Sequence, residues 1–322
     1  MNKKSAAIAV LSDENYLEAA KQVIYSSFKY GNWKGDYILL AHNVKEQNLR
    51  WFEDRGVYIL KTSSLIKTEV WEKALGKGKD WPEVVYSKLY LLSPELASWE
   101  KVIFLDSDVF VRKAMNALLD FEGFAAREES LSRNLMYQFI PDLETLGSEH
   151  ETELSKLKAQ YDFSAISFNV GVMVIPTAEN TTAKFQKIID LANEIHGLAY
   201  FPEQAVFNLF FYKKWENIPY VYNDFYTHDW FNKHGFWRRK NDKDAVILHC
   251  AGKPKPFEKE SIYFSEWSEN YKKVDLLFNI TQSGETPDSK SIQKIERLNR
   301  MNKPIGKLGL FWWRLKKRLG LK

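Results

Sequence analysis

Lys101–Leu105 (KVIFL) runs straight into Asp106-Ser107-Asp108 and on through Val109-Phe110-Val111. An uninterrupted apolar run of this length is the pattern of a strand buried on both faces, as in a parallel sheet covered by helices. Open α/β sheets bind ligands beyond the carboxyl ends of their strands. Two carboxylates one residue apart at that place are a candidate site, because extended geometry would aim both to the same side. Paired oxygen ligands suit a hard divalent cation, Mn²⁺ or Mg²⁺. Such an ion can bridge the phosphates of a nucleotide diphosphate and neutralise charge on it as it leaves. A solvated acidic turn has the same local sequence, so the pair alone does not decide.

The flanking sequence repeats the strand-helix pattern. Ala6–Leu11 (AAIAVL) reads as a first buried strand. A helix is expected over Glu14–Tyr30, with apolar positions at Leu17, Ala20, Ile24 and Phe28 and with Ser12 or Asp13 as its N-cap. A strand follows at Asp36–Ala41, a helix at Glu46–Arg55 and a strand at Val57–Leu60. Alternation with short links implies an α/β fold, a mostly parallel mixed sheet with helices on both faces. Ser63–Trp81, with Gly76 and Gly78, reads as a mobile connection, and Val84–Leu92 as a helix. Phe124–Ala126 is expected as a short strand and Arg127–Asp162 as a polar insertion of loop and helix. Ser167–Ile175 returns to buried strand; helices are expected near Ala178–His196 and over Pro202–Tyr212. Ala245–Leu248 is a late strand that delivers His249.

Three further blocks carry chemistry. In His249–Phe257 (HCAGKPKPF), the imidazole is a ligand for Mn²⁺-like ions and Gly252 permits close backbone approach. Lys253 and Lys255, stiffened by Pro254 and Pro256, suit phosphate. In Phe168–Ile175 (FNVGVMVI), Asn169 offers donor and acceptor to a hydroxyl-rich ligand, and Gly171 marks a bend or a close approach. At the end of the first strand, Leu11, Ser12, Asp13, Asn15 and Tyr16 place polar groups and one ring at the sheet's carboxyl edge. Tyr16 could stack on a base and Asp13 could accept from a base N–H, although Asp13 and Asn15 serve equally as helix-start residues.

Composition narrows the class. With 322 residues, 45% hydrophobic and 27% charged, the chain can bury an ordinary core, and aromatics at 15% suit sugar or base stacking as well as packing. Cys250 is the one cysteine, so no disulfide can form within the chain. The short apolar run at the N-terminus reads as a strand rather than a signal peptide. The net charge of +4 is concentrated in the tail: seven basic and no acidic residues lie between Lys303 and Lys322, leaving the rest mildly acidic. That balance argues against nucleic acid as a partner. Pro304–Lys322 (PIGKLGLFWWRLKKRLGLK) interleaves Trp, Phe and Leu with cations, which suits an anionic membrane surface. The expected location is cytoplasmic, peripheral on the inner face of the cytoplasmic membrane. The expected division is a catalytic unit over 1–257 with its insertion near 127–162, a helical extension over 258–303, and the tail over 304–322.

Taken together and in this order, the blocks resemble glycosyltransferase family 8, which includes glycogenin and bacterial lipopolysaccharide α-glycosyltransferases, from about Ala6 to Phe257. The resemblance implies a GT-A type, Rossmann-like nucleotide-diphospho-sugar transferase fold. It also implies retaining transfer of a hexose from a UDP-sugar, UDP-glucose or UDP-galactose, to a glycan or lipid-linked glycan acceptor with Mn²⁺ (or Mg²⁺), as in surface polysaccharide synthesis. On that resemblance Asp106, Asp108 and His249 hold the metal. Leu11, Ser12, Asp13, Asn15 and Tyr16 bind uridine; Lys88, Ser107 and Asn169 contact the donor; Gly252 and Lys255 meet the pyrophosphate. Glu203-Gln204 matches an Asp-Gln pair at the reacting carbon, with Glu where the family has Asp and with Phe201-Pro202 upstream. Glu203, Gln204 and Lys255 are the implied catalytic groups. Two alternatives stay open on the residues: a haloacid-dehalogenase-like phosphatase, whose signature also sets Asp-x-Asp after an apolar strand, and a non-catalytic nucleotide-sugar-binding scaffold.

Overall fold

The computed structural model describes residues 4–74, 81–129, 134–139, 148–225 and 242–277. The basic tail over 304–322 and all of the extension after 277 lie outside the described residues, as do 75–80 of the expected connection and 130–133 and 140–147 of the expected insertion.

Among the described residues a seven-stranded sheet has the order β3-β2-β1-β4-β7-β6-β8. The strands are β1 (Lys4–Ser12), β2 (Asp36–His42), β3 (Tyr58–Thr62), β4 (Trp99–Leu105), β6 (Ala125–Glu128), β7 (Phe168–Pro176) and β8 (Glu216–Asn217). β1 pairs in parallel with β2 and β4, and β2 with β3, while β7 runs antiparallel to β4 and β6. The sheet is therefore mixed and mostly parallel, as expected. A smaller sheet, β5 (Val109–Val111), β10 (Ile247–His249) and β9 (Asp224–Phe225), stands at its carboxyl edge.

Alternation along β1 accounts for the layers. Ala7, Ala9 and Leu11 enter one core cluster, and Ala6, Ile8 and Val10 the other. Both faces are buried, so the run has no polar alternation. Helices α1 (Leu17–Lys29) and α2 (Glu46–Glu53) supply Val23, Ile24 and Phe52 to the second cluster; α5 (Thr182–Ile195) and α6 (Pro202–Phe210) supply Ile188, Ala192 and Phe207 to the first. Helices α3 (Thr68–Ala74), α4 (Ser148–Gln160) and α7 (Phe264–Tyr271) complete the set among the described residues. α7 lies against the body, where the Tyr271 hydroxyl donates to Glu18 of α1 and Trp51 Nε1 donates to Asp275 at 2.8 Å.

Several expected elements shift, each for a local reason. Glu83–Leu92 is a 3-10 helix rather than an α-helix. Six of its ten residues are buried, and Ser87 is tied to His42 and Thr62 at the ends of β2 and β3, so tertiary contacts override propensity. α1 starts at Leu17 rather than Glu14, because the Asp13 carboxylate accepts from Asn15 N (2.9 Å) and Tyr16 N (3.2 Å) and closes a turn first. The polar stretch after Arg127 begins as strand: Arg127 and Glu128 finish β6 beyond a bulge.

Candidate functional site

β4 stops at Leu105, and Asp106-Ser107-Asp108 forms the turn into β5. The two carboxylates thus converge through a turn and not through strand alternation. Asp106 N donates to Gly171 O at 2.8 Å, which locks the turn to β7, and Ser107 Oγ donates to Leu11 O, which locks it to β1. On the far side β10 pairs with β5 so that His249 sits opposite Val109, and Cys250 N donates to Asp108 O at 3.0 Å. This pairing carries a residue 141 positions downstream in sequence onto the acidic turn.

Ligand atoms of Asp106, Asp108 and His249 all lie within 4.8 Å of one another. His249 Nε2 is 3.3 Å from Asp108 Oδ1 and 3.9 Å from Asp106 Oδ2. The other ring nitrogen, Nδ1, meets Asn223 Oδ1 at 2.9 Å. With Nδ1–H donating there and a cation bound, Nε2 would present its lone pair beside the two carboxylates. Three lone-pair donors then face one point, two hard oxygens and an imidazole nitrogen, and a divalent cation of the Mn²⁺ kind fits that set. Gly171 makes room for the ring: a Cβ there would stand 2.2 Å from His249 Cε1.

Two lysines balance the acids. Buried Lys88, from the 3-10 helix, reaches Asp106 Oδ1 at 2.9 Å and Glu203 Oε1 at 3.2 Å. Burial works against its charge, but Asp106 and Glu203 outweigh it, so the ammonium is held charged above its ordinary range. Lys255 Nζ bonds Asp108 Oδ2 and is likewise raised, Asp108 overcoming burial. Burial would push the Asp108 carboxyl up, yet Lys255 and His249 hold it well below the usual carboxylate range.

Next to the acids lies an amide network. Glu203 and Gln204 occupy the first turn of α6, where Pro202 fills the first helical position without a wasted N–H and the helix end favours a carboxylate. Gln204 Oε1 accepts from Asn169 Nδ2 at 3.0 Å, and its Nε2 donates to Gln138 Oε1 at 2.9 Å and Glu129 Oε2 at 3.3 Å. Asn223 Nδ2 donates to Asn169 Oδ1 at 3.0 Å, which joins this network to His249.

Of the residues singled out in sequence, Asp106, Asp108, His249, Lys88, Lys255, Asn169, Glu203 and Gln204 form this one connected cluster. Ser12, Asp13, Asn15 and Tyr16 lie at the same sheet edge, with Tyr16 edge-on to Phe257 at 5.5 Å and close enough to Lys255 and Asp108 to feel their charge. Asn15 is exposed and bonds only within its own turn, to Asp13. Gly252 is exposed, with a φ of 106° that favours glycine, and turns the chain between His249 and Lys255. Sequence reading missed Glu129, Gln138 and Asn223. The first two sit in the polar stretch after Arg127, and a buried polar residue there carries no signal of period or motif. Among the described residues the candidate ligand set is Asp106, Asp108 and His249; its third member is a histidine, unlike the phosphatase pattern.

Residues 7–261 match the family model described as Glycosyl transferase family 8. The chain is 26% identical over 235 residues to a lipopolysaccharide 1,2-glucosyltransferase of Escherichia coli, covering 70% of this chain and 62% of that one. It is 21% identical over 261 residues to the glycosyltransferase GlyF of Streptococcus pneumoniae, covering 80% of this chain and 58% of that one. The chain therefore spans about three fifths of the length of these curated relatives. Among solved structures, the galactosyltransferase LgtC with donor and acceptor sugar analogues aligns with a TM-score of 0.58 at 16% identity, over 82% of this chain and 95% of that one. GlyE of Streptococcus pneumoniae aligns with a TM-score of 0.57 at 18% identity, over 84% and 60%. At these identities the likeness speaks for the fold, which is of the GT-A type.

Proposed function

The chain belongs to glycosyl transferase family 8, and from that premise we propose that it transfers a hexose from a UDP-sugar to a hydroxyl of a glycan acceptor, with retention and with a divalent metal. The observation that carries the reading is the convergence of Asp106, Asp108 and His249 beside Lys255, at the sheet edge where Tyr16 stands. Asp106, Asp108 and His249 would hold Mn²⁺ or Mg²⁺, which when bound supplies positive charge against a diphosphate.

The protein's own groups then have distinct work. Lys255, half-buried and paired with Asp108, is placed to offer its ammonium to the departing UDP, a charge already ordered before reaction. Gly252 lets the loop backbone approach the phosphates, and Ser107 fixes the turn that bears the acids. Leu11, Ser12, Asp13, Asn15 and Tyr16 form the edge for the uridine, with Tyr16 as the stacking ring. Asn169 and Gln204, each held by partners on more than one side, orient the donor sugar's hydroxyls. Glu203 is paired with Lys88 at the helix start, where the helix end favours a carboxylate. Retention has two routes, a glycosyl intermediate on Glu203 or attack from the face that UDP leaves. Full activity in Glu203→Gln would exclude the first.

The acceptor we propose is a surface glycan, lipopolysaccharide or capsule. The relative from Escherichia coli carries such a name, and the basic Trp-bearing tail suits an anionic membrane. No helix among the described residues is long and apolar enough to cross a membrane. Deleting 304–322 should lower the fraction that sediments with anionic liposomes; an unchanged fraction would remove the membrane assignment. The activity itself is tested by UDP release from a panel of UDP-sugars with Mn²⁺ and with chelator. One donor hydrolysed slowly, and only with metal, is the expected result; no UDP binding under any condition would overturn the reading.

A further inference from the structure

A second concavity, of about 320 Å³, opens between the start of β7 and the chain that follows α6. Its walls include Asp162, Ile166, Asn208, Tyr212, Lys213 and Trp215. It has the size of a small-ligand site, roughly 300 Å³ upward. None of these side chains belongs to the acidic cluster.

Its place follows from the register. β7 runs antiparallel to β4 with Val172 opposite Leu105, so the chain before Val172 passes beyond the end of β4, on the side of Asp106. Ile166 lies three residues before Asn169, roughly 10 Å along an extended chain. From the other wall, Asn208 sits one helical turn after Gln204 and donates to Gln204 O and Phe168 O, both at 2.8 Å. The concavity is thus a neighbour of the donor network and shares a helix with it.

The lining has a definite chemistry. Trp215 is half-buried and backed by fully buried Phe168, with ring centroids 5.1 Å apart. Tyr212 is half-buried, braced edge-on by Tyr161 at 5.1 Å, and its hydroxyl accepts from Asp162 N at 2.9 Å. Ile166 leaves 46% of its surface exposed beside them. Two apolar rings fixed from behind offer contact without loss of rotamer freedom. Asp162 receives both of its side-chain bonds, from Ser164 N and Oγ, on Oδ1. Its second oxygen is left to accept hydroxyl protons. Lys213 adds a donor, its ammonium 5.1 Å from the Tyr212 ring centre. An acyl chain would have to desolvate both charges, and a phosphate would meet the carboxylate. A neutral pyranose matches the set: its C–H face meets the rings and its hydroxyl rim meets one acceptor and one donor.

We infer that this concavity is a second carbohydrate subsite, holding a neutral sugar unit of the acceptor glycan away from the reacting hydroxyl. The inference rests on the transferase reading above. The test is saturation-transfer NMR with neutral gluco- and galacto-oligosaccharides of two to five units, on the full chain and on Trp215→Ala and Ile166→Glu. Ile166 is exposed, so its variant keeps the test sound if loss of Trp215 unsettles the fold; thermal melting checks both. Metal-dependent UDP release without acceptor is measured on the same samples. At least one oligosaccharide should bind the parent chain, with affinity down about tenfold or more in both variants, the scale of a lost aromatic anchor. UDP release should stay within about twofold. An oligosaccharide that binds both variants like the parent, or no binding by a parent chain that does hydrolyse donor, overturns the subsite. Absence of both binding and hydrolysis would take down the transferase reading and the subsite with it.

Discussion

Gly171→Ala adds one methyl group behind the ring of His249, one of the three proposed metal ligands. The new Cβ would meet His249 Cε1 at 2.2 Å, His249 Nδ1 at 2.6 Å and Asn169 Oδ1 at 2.9 Å. Ordinary contact begins near 3.4 Å, so the ring would have to retreat by about 1.2 Å. The φ of Gly171 lies outside the left-handed region, so alanine adds no backbone strain and the clash is the whole effect. His249 is 3% exposed and anchored through Nδ1 to Asn223, and Asn169 is tied to Gln204, so neither neighbour moves alone. Ligating groups must keep within roughly 0.5 Å of working geometry, and disturbing the support of a metal ligand costs about 10–100-fold in affinity. Overpacking of a buried site costs about 1–3 kcal/mol of stability as well. Calorimetric titration of Mn²⁺ in the presence of UDP, with urea unfolding alongside, separates the two. Affinity for Mn²⁺ within about twofold of the parent would refute the reasoning, because the ring would then be free to give way without leaving the site.

Asn223→Ala removes the acceptor that orients His249 and should weaken Mn²⁺ binding about 10–100-fold with little change in UDP binding without metal, read by the same titration. Lys88→Met leaves Asp106 and Glu203 facing each other without their shared cation; the expected loss is about 3 kcal/mol, the low end for a broken buried pair because Asp106 keeps some solvent, and added Mn²⁺ should recover part of it in urea melts. His196 accepts from the Tyr86 hydroxyl at 2.5 Å and is held below its ordinary range by burial. The unfolded chain then binds the extra proton more readily than the folded one, so this contribution to stability is complete above the unfolded value of 6.5 and declines as pH falls below it. His196→Leu should flatten the unfolding midpoint between pH 7.5 and 5; an unchanged slope would assign the acid sensitivity to other groups.

What was legible in the sequence had a period or a fixed offset behind it. The β1 and β4 runs announce strands buried on both faces, and Asp106-Ser107-Asp108 announces a site because charge directly after such a run needs a reason. Gly171 could be read as close approach because a glycine weakens a strand unless something comes near; what comes near, His249, was not readable, since 77 residues separate them. The 3-10 helix over Glu83–Leu92 reads as an ordinary helix in sequence, which shows neither its burial nor its ties to His42 and Thr62. Glu129 and Gln138 were hidden for another reason. They lie in a stretch whose polarity resembles that of any solvated loop, and they become part of the site only because both point at Gln204.

The balance of charge in the cluster explains how three acids can share one site. Asp106, Asp108 and Glu203 are buried or half-buried, and two lysines answer them, each bridging to a different element: Lys88 from the 3-10 helix, Lys255 from the loop after β10. Buried carboxylates left unpaired would be costly, so these ion pairs hold the acids in place. They do not have equal freedom. Lys88 is 7% exposed and grips two carboxylates, whereas Lys255 is 21% exposed and grips one. Lys255 also stands on the loop that Gly252 turns. On the proposed function it is the cation that would exchange Asp108 for an incoming diphosphate without stranding a second acid, with Lys88 left to fix Glu203. The two lysines therefore differ as counter-charges: Lys88 is tied to two carboxylates and Lys255 to one.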